Sequence, residues 1–132
     1  MAKNTVVLDA ARLPADVEFP PLETKKYGWE QYPQLVGDDI AEHCSRADIV
    51  ISLGTAIGLE DLEKMEKIGL LVCAGEACGQ VDQVALATRG VEILAFTHVA
   101  CGSGENDRDF CNRTVAAIDH YVRNFELGEV MP

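Results

Sequence analysis

Apolar residues are concentrated in four short, nearly uninterrupted runs: TVVLD from Thr5, DIVIS from Asp48, LLVCA from Leu70 and VEILAF from Val91. Continuous aliphatic runs, as opposed to alternating ones, predict strands covered on both faces, the pattern of a parallel sheet between helices. A fifth, weaker strand is predicted at WEQYP from Trp29. The segments between have helical spacing. DDIAEHCSRA sets Ile40, Cys44 and Ala47 on one stripe after an acidic start, and LEDLEKMEK sets Leu59, Leu62, Met65 and Glu66 similarly before Gly69. VDQVALATR runs to Gly90, a suitable residue to follow a helix end. The longest periodic segment, ENDRDFCNRTVAAIDHYVRNFEL, places Phe110, Thr114, Ile118, Tyr121 and Phe125 on one face and is expected to stop at Gly128. As a helix it extends about 34 Å, more than a strand of five or six residues needs for cover, so part of it is expected to meet a partner.

Strands alternating with helices predict an α/β fold: a flavodoxin-like doubly wound parallel five-stranded sheet of order 2-1-3-4-5 with a long C-terminal helix. The irregular stretch LPADVEFPPLETKKYG stands where a first helix would be. Ligands of such sheets bind at the carboxyl ends of the strands. That edge collects the loops Asp9 to Leu13, Ser52 to Gly58, Ala74 to Gln80 and Phe96 to Gly104.

Charge and cysteine content narrow the chemistry. Twenty-two acidic residues against eleven basic ones give a formal charge of −11, which repels nucleic-acid phosphates and anionic membranes. The opening MAKNTVV has neither the cationic segment nor the apolar run of a signal peptide, and no stretch approaches a membrane span, so a cytoplasmic protein is expected. At 132 residues the chain is about one domain, 1–132. Five cysteines at irregular spacing predict reduced thiols, with Cys44 and Cys111 filling gaps in the core. Cys73 and Cys78 lack the spacing of a zinc site, and no metal is expected.

The loop in LLVCAGEACGQVD raises the question of a nucleotide. Only Gly75 and Gly79 are present, so neither the Gly-x-Gly-x-x-Gly fingerprint nor a P-loop is formed. A small carboxylate remains compatible, held by loop N–H groups. Gly75 and Gly79 equally suit a tight turn with positive φ and close helix packing. Asp82 reads as a first-turn acid favoured by the helix dipole. Ser52, Gly54 and Thr55 suit either ligand contacts or an ordinary loop and cap. Cys73, Cys78 and Cys101 around one edge admit a third use, a redox-active or regulatory thiol.

The order and spacing of VVLDAARLPADVEFPPL, ADIVISLGTAIGLEDLEKMEKIGLLVCAGEACGQVD and ALATRGVEIL resemble the substrate-binding lobe of the D-isomer-specific 2-hydroxyacid dehydrogenases, especially their glycerate dehydrogenase-like branch. The resemblance implies substrate contacts from Ser52, Gly54, Thr55, Ala74, Gly75 and Glu76. Ala74, Gly75 and Glu76 match the loop that holds the substrate carboxylate; the family loop more often has a glycine, an aromatic or small residue and Asn or Asp before Val/Ile-Asp, and here Glu76 brings a negative side chain close to the anion's place. Family enzymes interrupt the lobe with an NAD-binding domain and return through a Pro-His segment and a final helix. Here THVACGSGENDRDFCNRTVAAIDHYVRNFELGEVMP follows VEILAF directly, so residues 97–128 correspond to the closing segment and helix, with no dinucleotide-binding domain between. His98 aligns with the general-acid histidine, with Thr97 in place of the proline. No residue matches the catalytic arginine or the glutamate that orients the histidine.

The resemblance therefore implies a stand-alone substrate lobe that binds a small 2-oxo or 2-hydroxy carboxylate. It is not expected to catalyse hydride transfer by itself, and it carries no cofactor. The alternative is a split subunit or domain-deleted fragment of an NAD-dependent enzyme. Removal of the cofactor domain leaves apolar surface on the last helix, so a homodimer through that helix is expected, closed or with the helix exchanged.

Overall fold

The computed structural model describes residues 3–14, 17–19, 27–55, 57–75, 83–96 and 107–130, with side chains of the last helix described as far as Tyr121. The five strands are β1 (Lys3–Val7), β2 (Tyr27–Gln31), β3 (Ile49–Ser52), β4 (Leu70–Ala74) and β5 (Glu92–Phe96). They pair in parallel in the order β2-β1-β3-β4-β5, the expected flavodoxin-like arrangement. The helices are α1 (Asp38–Cys44), α2 (Leu59–Lys64), α3 (Gln83–Thr88) and α4 (Asp107–Val130).

Alternation along each strand builds two cores. Val6, Val50 and Leu71 point to one face, where Ile40 and Cys44 of α1, Leu62 of α2 and Leu86 of α3 cover them. Val7, Ile49, Ile51, Leu70 and Val72 point to the other, beneath Phe110, Cys111 and Ile118 of α4 and beside Val17 and Phe19 of the β1–β2 connection. The connection that steps left, β1 to β2, thus lies on one face, and those that step right lie on the other, as a single hand for every crossover requires. β3 and β4 are buried on both sides throughout, which is why their sequences do not alternate.

The last helix departs from expectation at one end. It continues through Gly128 to Val130 instead of stopping at Gly128, and Gly128 does not take the left-handed conformation that ends a helix. Glycine permits that turn without requiring it, and near a terminus its helical cost is at most about 1 kcal/mol. Phe110, Thr114 and Ile118 are buried as the periodicity predicts, Tyr121 is partly buried, and Phe125 lies outside the described side chains. Between Phe110, which stacks on Phe96 at 4.9 Å, and Tyr121, whose hydroxyl meets the open face of Gly69, α4 crosses the whole sheet. Those eleven steps span about 16 Å, the length of a five-residue strand. The nine residues beyond are about 13 Å of helix past the sheet's amino edge.

The buried cysteines fill core positions. Cys44, Cys73 and Cys111 are each wholly buried and form no disulfide. Burial pushes the Cys44 thiol up to about 12, with Asp61 and Glu30 adding to the effect, and the Cys111 thiol up to about 11 with Asp107 adding. Among the described residues, no helix is long and apolar enough to cross a membrane.

Candidate functional site

β1 and β3 are neighbours whose outgoing connections pass to opposite faces of the sheet, and in open α/β sheets such a switch point opens the ligand crevice. Asp9 closes the base of that opening. It follows the apolar run of β1, is wholly buried, and turns its carboxylate toward the loop that leaves β3. Oδ1 accepts from the Leu53 N–H at 2.8 Å; Oδ2 accepts from the Thr55 N–H at 3.0 Å and the Thr55 hydroxyl at 2.6 Å. A short 3-10 turn, Ala10–Arg12, then brings the Arg12 side chain back over Asp9, with Nε 3.0 Å from Oδ2. Four donors on one carboxylate explain how a charge is kept in a wholly buried position.

Backbone bonds lock the surrounding strand ends. Leu8 N–H donates to Ile51 O at 3.0 Å, Tyr32 N–H to Val7 O at 3.0 Å, and Leu35 N–H to Leu8 O at 2.8 Å, so β2 and β3 clasp the end of β1. Gln34 Nε2 donates to the Thr55 hydroxyl at 3.0 Å from the β2 side. One strand further along, Gly75 ends β4 with φ of 55°, and its N–H donates to Phe96 O at 3.0 Å. A left-handed φ there is what glycine supplies without strain.

The residues predicted from sequence divide accordingly. Ser52, Gly54, Thr55, Ala74 and Gly75 lie together at the carboxyl ends of β3 and β4, paired in register by Ser52 with Cys73. Ser52 is buried and its hydroxyl donates to Thr55 O at 2.6 Å; Thr55's hydroxyl is shared between Asp9 and Gln34. Both hydroxyls thus shape the loop. Ala74 is buried in the core. Gly54 and Gly75 are partly exposed, and the Arg12 guanidinium lies against Gly54. Glu76, Gly79, Cys78, Asp82, His98 and Cys101 lie outside the described residues.

Asp9 and Arg12 were not singled out from sequence as site residues. The available signal was an acid directly after a buried strand with an arginine three residues on, at the edge where ligands bind. That signal also describes many ordinary turns, and the buried position of Asp9 emerges only when β1 and β3 are paired.

β1 leads into a 3-10 turn in place of a helix, and the carboxylate of Asp9 stands at the switch point. Among the described residues no three His, Cys, Asp or Glu side chains converge as metal ligands. Among the described residues, grooves also lie elsewhere: one of about 580 Å³ between β5 and α4, bordered by Gly69, Glu92, His120 and Tyr121, and one of about 360 Å³ beside α1, bordered by Glu30, Tyr32 and His43. No family model matches the chain, and the search of curated proteins found no match.

Proposed function

We propose that the chain is a small-carboxylate-binding domain, similar to the substrate lobe of D-2-hydroxyacid dehydrogenases, that holds a 2-oxo or 2-hydroxy acid at the carboxyl edge without performing hydride transfer. One observation supports this reading above the others: Asp9 draws the loops after β1 and β3 together beside the Gly75 turn, giving a fixed polar edge at the switch point. A rigid edge with partly exposed glycine backbone suits an anion of one charge and two oxygens. Ala74, Gly75 and Glu76 form the proposed cradle, with Gly54 facing it from the neighbouring loop, and His98 is left with no assigned proton transfer. Hydride transfer needs a nicotinamide held about 3–3.5 Å from the reacting carbon, and in this reading no part of the chain is assigned to hold one.

The test is thermal denaturation with glyoxylate, hydroxypyruvate or lactate, each with and without NADH. A ligand of the native state raises stability, by about 2.7 kcal/mol at a hundred times its Kd. The expected result is a rise with the acid alone that NADH leaves unchanged. NADH oxidation by the purified chain above a His98→Ala control would overturn the reading and restore an enzyme.

The same proposal places a homodimer on α4, whose last nine residues run past the sheet. Light scattering at micromolar concentration tests it: twice the 14.3 kDa chain mass is expected, and a monomer refutes it.

A further inference from the structure

We infer that Arg12 is the group that grips the ligand carboxylate, and that Asp9 and Gly54 are built to aim it; this deepens the proposed carboxylate-binding function and rests on it. Asp9 already accepts three hydrogen bonds from Leu53 and Thr55 before Arg12 is counted. The arginine is therefore not needed to satisfy that carboxylate. Its side chain touches Asp9 through Nε, and among the described residues that side chain makes no other hydrogen bond. Its side chain is 44% exposed at the carboxyl edge.

Holding a guanidinium by Nε leaves the pair of terminal amino groups free to meet the two oxygens of a carboxylate side by side. Gly54 sets where that pair lies. A Cβ at residue 54 would stand 2.9 Å from Arg12 Nη1 and 3.2 Å from its Cζ, so the guanidinium rests against the bare glycine. Ser52 and Cys73 are paired across β3 and β4, and neighbouring strands are about 4.8 Å apart. Gly54 and Gly75, each two residues further on, therefore lie within about two strand spacings, a gap that a two- or three-carbon acid bridges with a hydrogen bond at each end.

Charge selects the class of anion. The chain carries −11 overall and the Asp9–Arg12 pair is formally neutral, so a phosphate dianion is disfavoured where a planar monoanion is accepted. The geometry thus points to a monocarboxylate with a neighbouring carbonyl or hydroxyl that can face the Gly75 turn.

Calorimetric titration with glyoxylate and hydroxypyruvate tests this, with the neutral amide glyoxylamide and inorganic phosphate as further probes. Wild-type protein is expected to bind the acids and neither the amide nor phosphate. Arg12→Gln should weaken acid binding by about tenfold or more, the scale of a lost charge-assisted contact, while Arg12→Lys retains part of it. Gly54→Ala is the second variant: its methyl meets the flexible end of Arg12, so it should displace the guanidinium and weaken binding while leaving the melting temperature nearly unchanged. Binding that is unaltered in both Arg12→Gln and Gly54→Ala overturns the role of Arg12 but leaves the carboxylate-binding function standing. Absence of acid binding by the wild-type chain overturns both, and binding of phosphate in preference to the acids overturns the assigned ligand class.

Discussion

Replacing Asp9 by asparagine keeps the shape of the side chain and removes its charge. Asparagine presents one carbonyl oxygen and one NH2, whereas Asp9 accepts on both sides, from Leu53 at Oδ1 and from Thr55 and Arg12 at Oδ2. With the oxygen kept toward Thr55, the NH2 faces the Leu53 N–H, donor against donor. One charge-assisted bond is lost, the bonds to Thr55 become neutral, and a buried N–H is left unpaired, together costing about 2–4 kcal/mol. The Arg12 pair adds less than about 1 kcal/mol, because that guanidinium is nearly half exposed and screened. Against a typical total of about 5–15 kcal/mol this is a large fraction. Urea denaturation followed by circular dichroism measures it, with Asp38→Asn, an exposed acid in the first turn of α1, as the control. Asp9→Asn should lower the midpoint strongly at unchanged slope, and amide exchange should quicken most at Leu53 and Thr55. A loss under about 1 kcal/mol would refute the view that Asp9 organises the edge, since that is the range of an ordinary surface change.

Gly69→Ala should destabilise by about 1–3 kcal/mol, as overpacking does, because its Cβ would collide with the Tyr121 hydroxyl; Tyr121→Phe in the same chain should recover part of the loss in a double-mutant cycle. Arg89 donates to Leu62 O at 2.7 Å and Met65 O at 2.6 Å, capping the end of α2, so Arg89→Met should cost about 1–2 kcal/mol in thermal unfolding, discounted for its exposure. The buried Thr114 hydroxyl has no hydrogen-bond partner among the described residues; Thr114→Val should therefore be neutral or stabilise by about 1 kcal/mol in urea. Cys44 and Cys111 keep their protons in the folded chain to about 12 and about 11, while an unfolded thiol ionises near 9.0. The native state then holds more protons above pH 9, so stability should be flat below pH 8 and fall between pH 9 and 11 by up to about 1.4 kcal/mol per unit for each thiol. Cys44→Ala with Cys111→Ala should flatten that alkaline decline.

The sheet was legible because its pattern is simple. LLVCA needs apolar residues on both faces, and the structure makes β4 of Leu70–Ala74. Strand order followed from the alternation of strands and helices under one crossover hand, and α4's buried stripe from a period of 3.6. The helix end was not legible, since Gly128 is compatible with both a stop and a continuation. The place of Ser52, Gly54 and Thr55 at the carboxyl end of β3 was legible from the rule for strand ends, but the Thr55 hydroxyl turns inward to Asp9, forty-six residues away, and the Ser52 hydroxyl to Thr55 O. Long-range pairing of a single acid with backbone N–H groups leaves no periodic trace, so Asp9 and Arg12 became visible only once β1 and β3 were side by side.

The most direct test of the central claim is a nitrogen-proton correlation spectrum of the labelled chain titrated with glyoxylate. Carboxylate binding at the switch point predicts saturable shifts concentrated at the amides of Gly54, Thr55 and Gly75 and at the Arg12 Nε–H, with little change at Gly69, Glu92 and Tyr121 on the opposite edge. Shifts confined to that opposite groove, or a spectrum that does not respond, would contradict it.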